Sequence, residues 1–193
     1  MLPSEIVLFS VGCTLVRFKI LKMEGEVMYK QGDYVVKIPE GVCKIEYVGY
    51  LDIFGVKKDK EYYMLVPMNE KTSKIYVPVE HAGERIRKVI SKEDAIRLIK
   101  SIPDIDEKDI SNEKMREQEY KTAILSGNNE QIVSIMKLLY TRKQKRMEQG
   151  KKTTTTDDRY FKQAEDMLFS ELSFVLDVPK ENMEQFIADT LGA

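Results

Sequence analysis

A chain of 193 residues with 31 Lys+Arg against 32 Asp+Glu has room for one large domain or two small ones and carries no global charge that would point to nucleic acid. Its 42% hydrophobic share is ordinary for a folded globular protein, so any basic surface must be local. Two cysteines, Cys13 and Cys43, and one histidine, His81, fall short of the about four N/S ligands of a structural zinc site; neither a metal nor a cofactor is expected, and a reduced, cytoplasmic protein fits better than a disulfide.

"IVLFSVGCTLV", Ile6 to Val16, is apolar but shorter than the roughly 20 residues that cross a bilayer. Only Glu5 precedes it, where a signal peptide carries basic residues. "SVGC" resembles a lipoprotein cleavage site, with Ser10 where Leu usually stands. No membrane partner is expected. Met28 offers an alternative start, because the codons of Met23, Glu24 and Gly25 can spell the purine-rich run of a bacterial ribosome-binding site. On that reading residues 1–27 are an apolar extension, mostly translated upstream sequence.

From Tyr34 to Pro78 the pattern is β. "YVVKI" is a short strand, and in "VCKIEYVGYLDIF" the residues Val42, Lys44 and Glu46 alternate with Cys43, Ile45 and Tyr47. "EYYMLVPM", Glu61 to Met68, is rich in aromatic and β-branched residues, and "SKIYVPV" follows a polar turn. Such spacing predicts a small antiparallel sheet or partial barrel. It supplies little material for an independent core, so this module should lean on a partner. "SKIYVPV" ends at Pro78 and carries Lys74, which fits a sheet edge that is either protected or used to pair with another chain.

After Ala82 the period changes. Ser91 with Asp94 forms a capping box for "EDAIRLIKSI", which Pro103 ends. A second helix is predicted over 111–126 and closed by Gly127. Asn128 caps a third, whose Ile132, Ile135, Met136, Leu139 and Tyr140 share one face. In a fourth, capped by a Thr with Asp158, the residues Phe161, Ala164, Leu168, Leu172 and Val175 do the same. Pro179 opens the last. The fold class is therefore α+β: residues 28–90 form the β module, and residues 91–193 form an all-helical domain.

Lys137, Arg142, Lys143, Lys145, Arg146, Lys151 and Lys152 concentrate positive charge on the third helix and its exit. Clustered Lys and Arg neutralise phosphates and release counterions. The same run also fits a solvated helix face whose cations favour the helix dipole. Arg116 and Lys121 can extend the patch from the second helix, and Arg159 and Lys162 from the fourth. The carboxylates of "PDIDEKD" lack the glycine of a calcium loop. His81 has no nucleophile in a recognisable setting, and there is no Walker loop or G-x-G-x-x-G, so neither an enzyme nor a small-molecule substrate is expected.

As an ordered set, "MYKQGDYVV" from Met28, the positions Gly32, Asp33, Val35, Val36, Gly41 and Val42, "EYYMLVPM", Ile75 to Ala82, "YKTAILSGN" and "AEDMLFSEL" resemble the CarD/CdnL family of bacterial transcription regulators. The resemblance runs from Met28 to about Val178. It implies a Tudor-like N-terminal module that docks on the β subunit of RNA polymerase. It also implies a helical domain that contacts promoter DNA at the upstream edge of the melted region and favours the open complex. Such a protein would be monomeric, cytoplasmic and associated with the nucleoid through the polymerase. An adaptor that binds proteins without DNA is the alternative reading.

With the edge strand read above, the resemblance points to polymerase contacts at Leu51, Lys74, Ile75, Tyr76 and Pro78; Leu51 and Tyr76 are the positions carried over from the family. Relatives have docking arginines where Leu51 and Tyr76 stand, so this contact would be more apolar. With the basic run read above, the resemblance points to DNA contacts at Met115, Arg116, Lys121, Arg142, Lys143, Lys145, Arg146, Arg159 and Lys162; of these, Arg116 is the one that matches a basic position of the family. Many relatives place a Trp against the DNA fork where this chain has Glu113. Met115 is the apolar side chain nearest that position, and methionine can wedge between base steps.

Overall fold

In the computed structural model, which describes residues 29–53, 57–70, 72–110 and 112–192, the neighbours Val35 and Val36 are both fully buried, but in different cores. They lie on β1 (Tyr34–Lys37), which pairs antiparallel with β2 (Gly41–Tyr50); β3 (Glu61–Pro67), β4 (Ile75–Pro78) and β5 (Ile86–Lys88) complete a sheet of order β4-β3-β2-β1-β5. This is the expected antiparallel half-barrel. The readings made for residues 1–27, the Met28 start and Ser111 fall outside the described residues.

Side chains alternate across a strand, so each face of β1–β2 has its own interior. Val35, Cys43, Ile45, Tyr63, Leu65 and Val77 fill the concave side. Val36 and Val42 turn the other way and join the helices. The β module does lean on a partner, and that partner is this chain's own helical half.

Two features of the sheet differ from the sequence reading. A bulge between Ile45 and Tyr47 shifts the register, so that Ile45 faces Leu65 while Tyr47 faces Met64. The extra residue moves Tyr47 off the face of Cys43 and Ile45, where strict alternation had placed it, to the outer face. The short β5 was not foreseen either. It follows a single turn, α1 (Ala82–Arg85), and forms the margin opposite β4.

The helices are α2 (Lys92–Ser101), α3 (Arg116–Leu125), α4 (Asn129–Glu148), α5 (Thr155–Leu176) and α6 (Met183–Leu191). Ser91 Oγ accepts from Asp94 N at 3.1 Å, as the capping box requires, and Asn128 Oδ1 accepts from Gln131 N at 3.1 Å. The fourth cap is Thr154, which accepts from Asp157 N at 3.0 Å; Thr153 instead bonds the Asp158 carboxylate. The second helix starts later than 111, because a 3-10 turn over Glu113–Met115 precedes α3. On α4, Ile132, Ile135 and Leu139 are buried with Val133, whereas Tyr140 is 56% exposed.

One ionic contact fixes the helices to the sheet. Glu171, on α5 and only 1% exposed, takes a bidentate pair from Arg87 of β5, Nη1 to Oε1 at 2.6 Å and Nη2 to Oε2 at 2.7 Å. Asn129 Nδ2 and Ile90 N also donate to this carboxylate, at 2.9 and 3.0 Å, and Arg87 Nε donates to the Gly127 carbonyl at 2.7 Å. The fork geometry and the filled acceptors are what a buried carboxylate needs.

Two glycines permit the surrounding fit. A Cβ on Gly41 would stand 2.8 Å from Ser170 Oγ, the group that accepts from Val42 N. A Cβ on Gly127, at φ +65°, would stand 2.3 Å from Ile38 Cδ1. Replacing Glu171 by Ala leaves the guanidinium without its counter-charge. Because the Arg87 side chain is 26% exposed, we expect a loss at the low end of the about 3–5 kcal/mol typical of broken buried pairs. Urea unfolding should show it as a lower midpoint at unchanged m value.

Candidate functional site

The basic residues singled out in the sequence do not form one uniform patch. Arg116 and Arg142 close on each other around two acids. Arg142 Nη1 donates to Glu113 Oε1 at 2.8 Å, and Arg116 donates to the same carboxylate. Both Nε atoms stand 3.6 Å from the carboxylate of Asp157, which is 5% exposed and also accepts from the Tyr120 hydroxyl at 3.2 Å. This cluster ties the start of α3, the middle of α4 and the first turn of α5 together. The hydrogen bond from Arg142, reinforced by Arg116, holds the Glu113 carboxyl below its usual range. Glu113 is therefore an acid that two neighbouring arginines grip.

Arg159 pairs with Glu117 at 2.7 Å and lies over the Tyr160 ring at 4.8 Å. Arg146 Nε donates to the Lys152 carbonyl at 2.8 Å, which holds the α4–α5 loop. Lys137 Nζ reaches the carbonyls of Pro103 and Ile105 at 3.1 and 2.5 Å. By contrast Lys121, Lys143, Lys145 and Lys162 are exposed and have no side-chain partner among the described residues. Lys143 and Arg146 share a small cleft with Thr153 and Asp158 on the α4 side of α5; Lys121 and Arg159 flank its α3 side. Met115 is 50% exposed beside this cluster. The charge available to a polyanion is thus mainly lysine, while the arginines hold the helices in place.

The second surface is on the sheet. Among the described residues β4 pairs only with β3, which leaves its other side as a margin of the sheet, whereas at the far end Arg87 of β5 reaches the helices. The register places Tyr47, Met64 and Tyr76 in one row across β2, β3 and β4, on the face opposite Tyr63 and Leu65. Tyr47 is 39% exposed, and Pro78 lies beside the row. Ile75 differs: it pairs with Leu65 and packs against the concave core, so its side chain belongs to the interior. Leu51 lies just past β2, half-buried, and Lys74 is exposed just before β4. Sequence reading missed Tyr47 and Met64, because the bulge that turns Tyr47 outward leaves no mark in the hydrophobic pattern.

His81 is exposed and lies 3.4 Å from Glu80. No group of three or more metal-ligating side chains occurs among the described residues, and none of their helices is long and apolar enough to cross a membrane.

Comparison with family models gives two matches. The CarD-like/TRCF RID domain matches residues 29–90, and the CarD C-terminal domain matches residues 97–188. The first covers the sheet; the second covers nearly all of α2 to α6. A search of curated proteins gives no match to the sequence. The chain belongs to the CarD/CdnL family. Its family domains mark it as a transcription-associated regulator that interacts with RNA polymerase.

The buried cluster carries a pH signature. Burial, followed by the charge of Asp157, pushes the Tyr120 hydroxyl from its ordinary 10.0 up to about 12. A raised acid favours the folded state fully below its unfolded value, and the benefit is lost as pH rises through the folded one. The stability difference between wild type and Tyr120→Phe should therefore be constant up to about pH 10 and shrink toward pH 12. Thermal melts of both proteins across that range check it.

Proposed function

We propose that the protein docks on the β subunit of RNA polymerase through the open β4 margin and the outer row Tyr47, Met64 and Tyr76. Residues 28–90 serve as the docking domain, and residues 91–193 contact promoter DNA. The observation that carries this reading is the pair of family matches, each falling on a half of the chain that presents one suitable surface.

An open strand edge offers unpaired backbone groups, and the aromatic row beside it supplies area for affinity. On the helical side Lys121, Lys143, Lys145 and Lys162 supply the phosphate contacts, with Arg146 and Met115 next to them. The mechanism is a population shift: tighter binding to the open promoter complex than to the closed one raises the open fraction. A bridging protein needs no covalent chemistry for this.

The adaptor reading has one observation in its favour. Arg116, Arg142 and Arg159 are all engaged by acids of the chain itself, which lowers the charge that faces outward.

Point variants of the full chain separate the two readings. If about four to six phosphates are neutralised, the log–log salt slope of DNA binding is roughly −4 to −5. Lys143→Glu with Lys145→Glu should make it shallower by about 2; a slope that is flat from the outset supports the adaptor. Tyr47→Asp with Tyr76→Asp should abolish retention of a polymerase β fragment while leaving DNA binding unchanged. Undiminished retention would move the docking site off this face.

A further inference from the structure

The cluster around Arg116 and Arg142 holds two acids in unlike settings. Asp157 is the inner one: it is 5% exposed, lies in the first turn of α5 and accepts from the buried Tyr120 hydroxyl at 3.2 Å. Glu113 is the outer one: its side chain is 61% exposed and accepts from the Nη atoms of both arginines. The Nε atoms of the same two guanidinium groups face Asp157 at 3.6 Å. Each arginine is thus held from behind by a fixed carboxylate and capped in front by an exposed one.

Two guanidinium groups against two carboxylates leave the cluster neutral. With Glu113 displaced, Asp157 balances only one of them, and a net positive charge faces outward. The two guanidinium groups converge on the oxygens of one carboxylate. A phosphate presents its oxygens to a guanidinium in the same way, so the arrangement suits either group.

Little holds Glu113 in place. It stands on the single 3-10 turn Glu113–Met115, and residues 112–115 are all exposed. That turn is capped by Asn112 Oδ1, which accepts from Lys114 N at 3.0 Å, so the Glu113 carboxylate can swing away without unwinding it. An exposed ion pair contributes little, because water readily replaces the partner. Asp157 has no such freedom, since a buried carboxylate stripped of its partners is costly. On α4 the next residues along are Lys143 and, two further on, Lys145, both exposed. The arginine pair therefore adjoins the lysines that would meet phosphate.

We propose that Arg116 and Arg142 form a masked phosphate site, in which Glu113 holds the place of a DNA phosphate in the free protein and is displaced when the backbone of a duplex arrives. This rests on the DNA contact proposed above and adds to it the residue that sets its strength. Glu113 competes with the ligand, so it lowers the affinity and eases release.

The test is binding of a labelled duplex to the full chain, read by fluorescence anisotropy at fixed salt. Glu113→Gln removes the competing charge and should tighten binding by about threefold to tenfold. Its thermal melt should stay close to that of wild type, because the Asp157 contacts remain. Removing a negative charge also relieves general repulsion of DNA, so the variant is measured again with Arg142→Lys. The lysine keeps a charge against Asp157 but lacks the fork. Masking predicts that the gain from Glu113→Gln falls below about twofold in that background. A gain of equal size in both backgrounds would mean plain repulsion and overturn the proposal. So would a Glu113→Gln protein that binds the duplex no tighter than wild type does, a result that leaves the DNA contact itself standing. Failure of wild type and variant alike to bind the duplex would remove the DNA contact, and the masked site with it.

Discussion

The bidentate contact between Arg87 and Glu171 is the constraint on which the rest of the arrangement depends. A carboxylate that is 1% exposed costs several kcal/mol in desolvation unless its lone pairs are filled. Here they are filled by Arg87, Asn129 and the Ile90 amide. Those donors come from β5, from the first turn of α4 and from the link to α2. Satisfying one charge therefore fixes three parts of the chain around α5. Hydrophobic burial of Val36 and Val42 supplies attraction between sheet and helices, but it is not directional. The ion pair gives the interface its register.

A division of labour between the basic side chains follows. Arginine presents a planar fork that suits buried or crowded carboxylates, whereas lysine is a hydrated point charge. Arg87, Arg116 and Arg142 all sit against acids that are nearly buried, while Lys121, Lys143, Lys145 and Lys162 stay in solvent. A contact made by such lysines would be strongly salt-dependent and weakly selective for sequence, as contacts to phosphate are.

Much of the architecture was legible in the sequence. The strand pattern, the caps at Ser91 and Asn128, the position of β4 at an edge and the apolar faces of α4 and α5 follow from local chemistry and periodicity. What was not legible is tertiary. Nothing in the sequence sets Glu171 and Asp157 apart from other helix charges; it is the fold that brings Arg87 against one and Arg116 and Arg142 against the other. Tyr47 reads as a core residue until the bulge turns it outward. The three residues of β5 are too few to show a period and exist as a strand because β1 offers them a pairing edge. For the same reason the basic run was visible as charge, but which of its members remain available to a ligand was not.

The adjacency of Val35 and Val36 has a consequence for how the chain can be divided. A single strand is the partition between two interiors, so the segments matched by the two family models share a wall. Cleavage between Val89 and Ile90 would leave one fragment with Val36, Ile38 and Val42 uncovered and the other with the Glu171 carboxylate unmatched. Each fragment would then expose the complement of the other, apolar face to apolar face and guanidinium to carboxylate. Neither piece then holds the contacts that its own side of this wall requires.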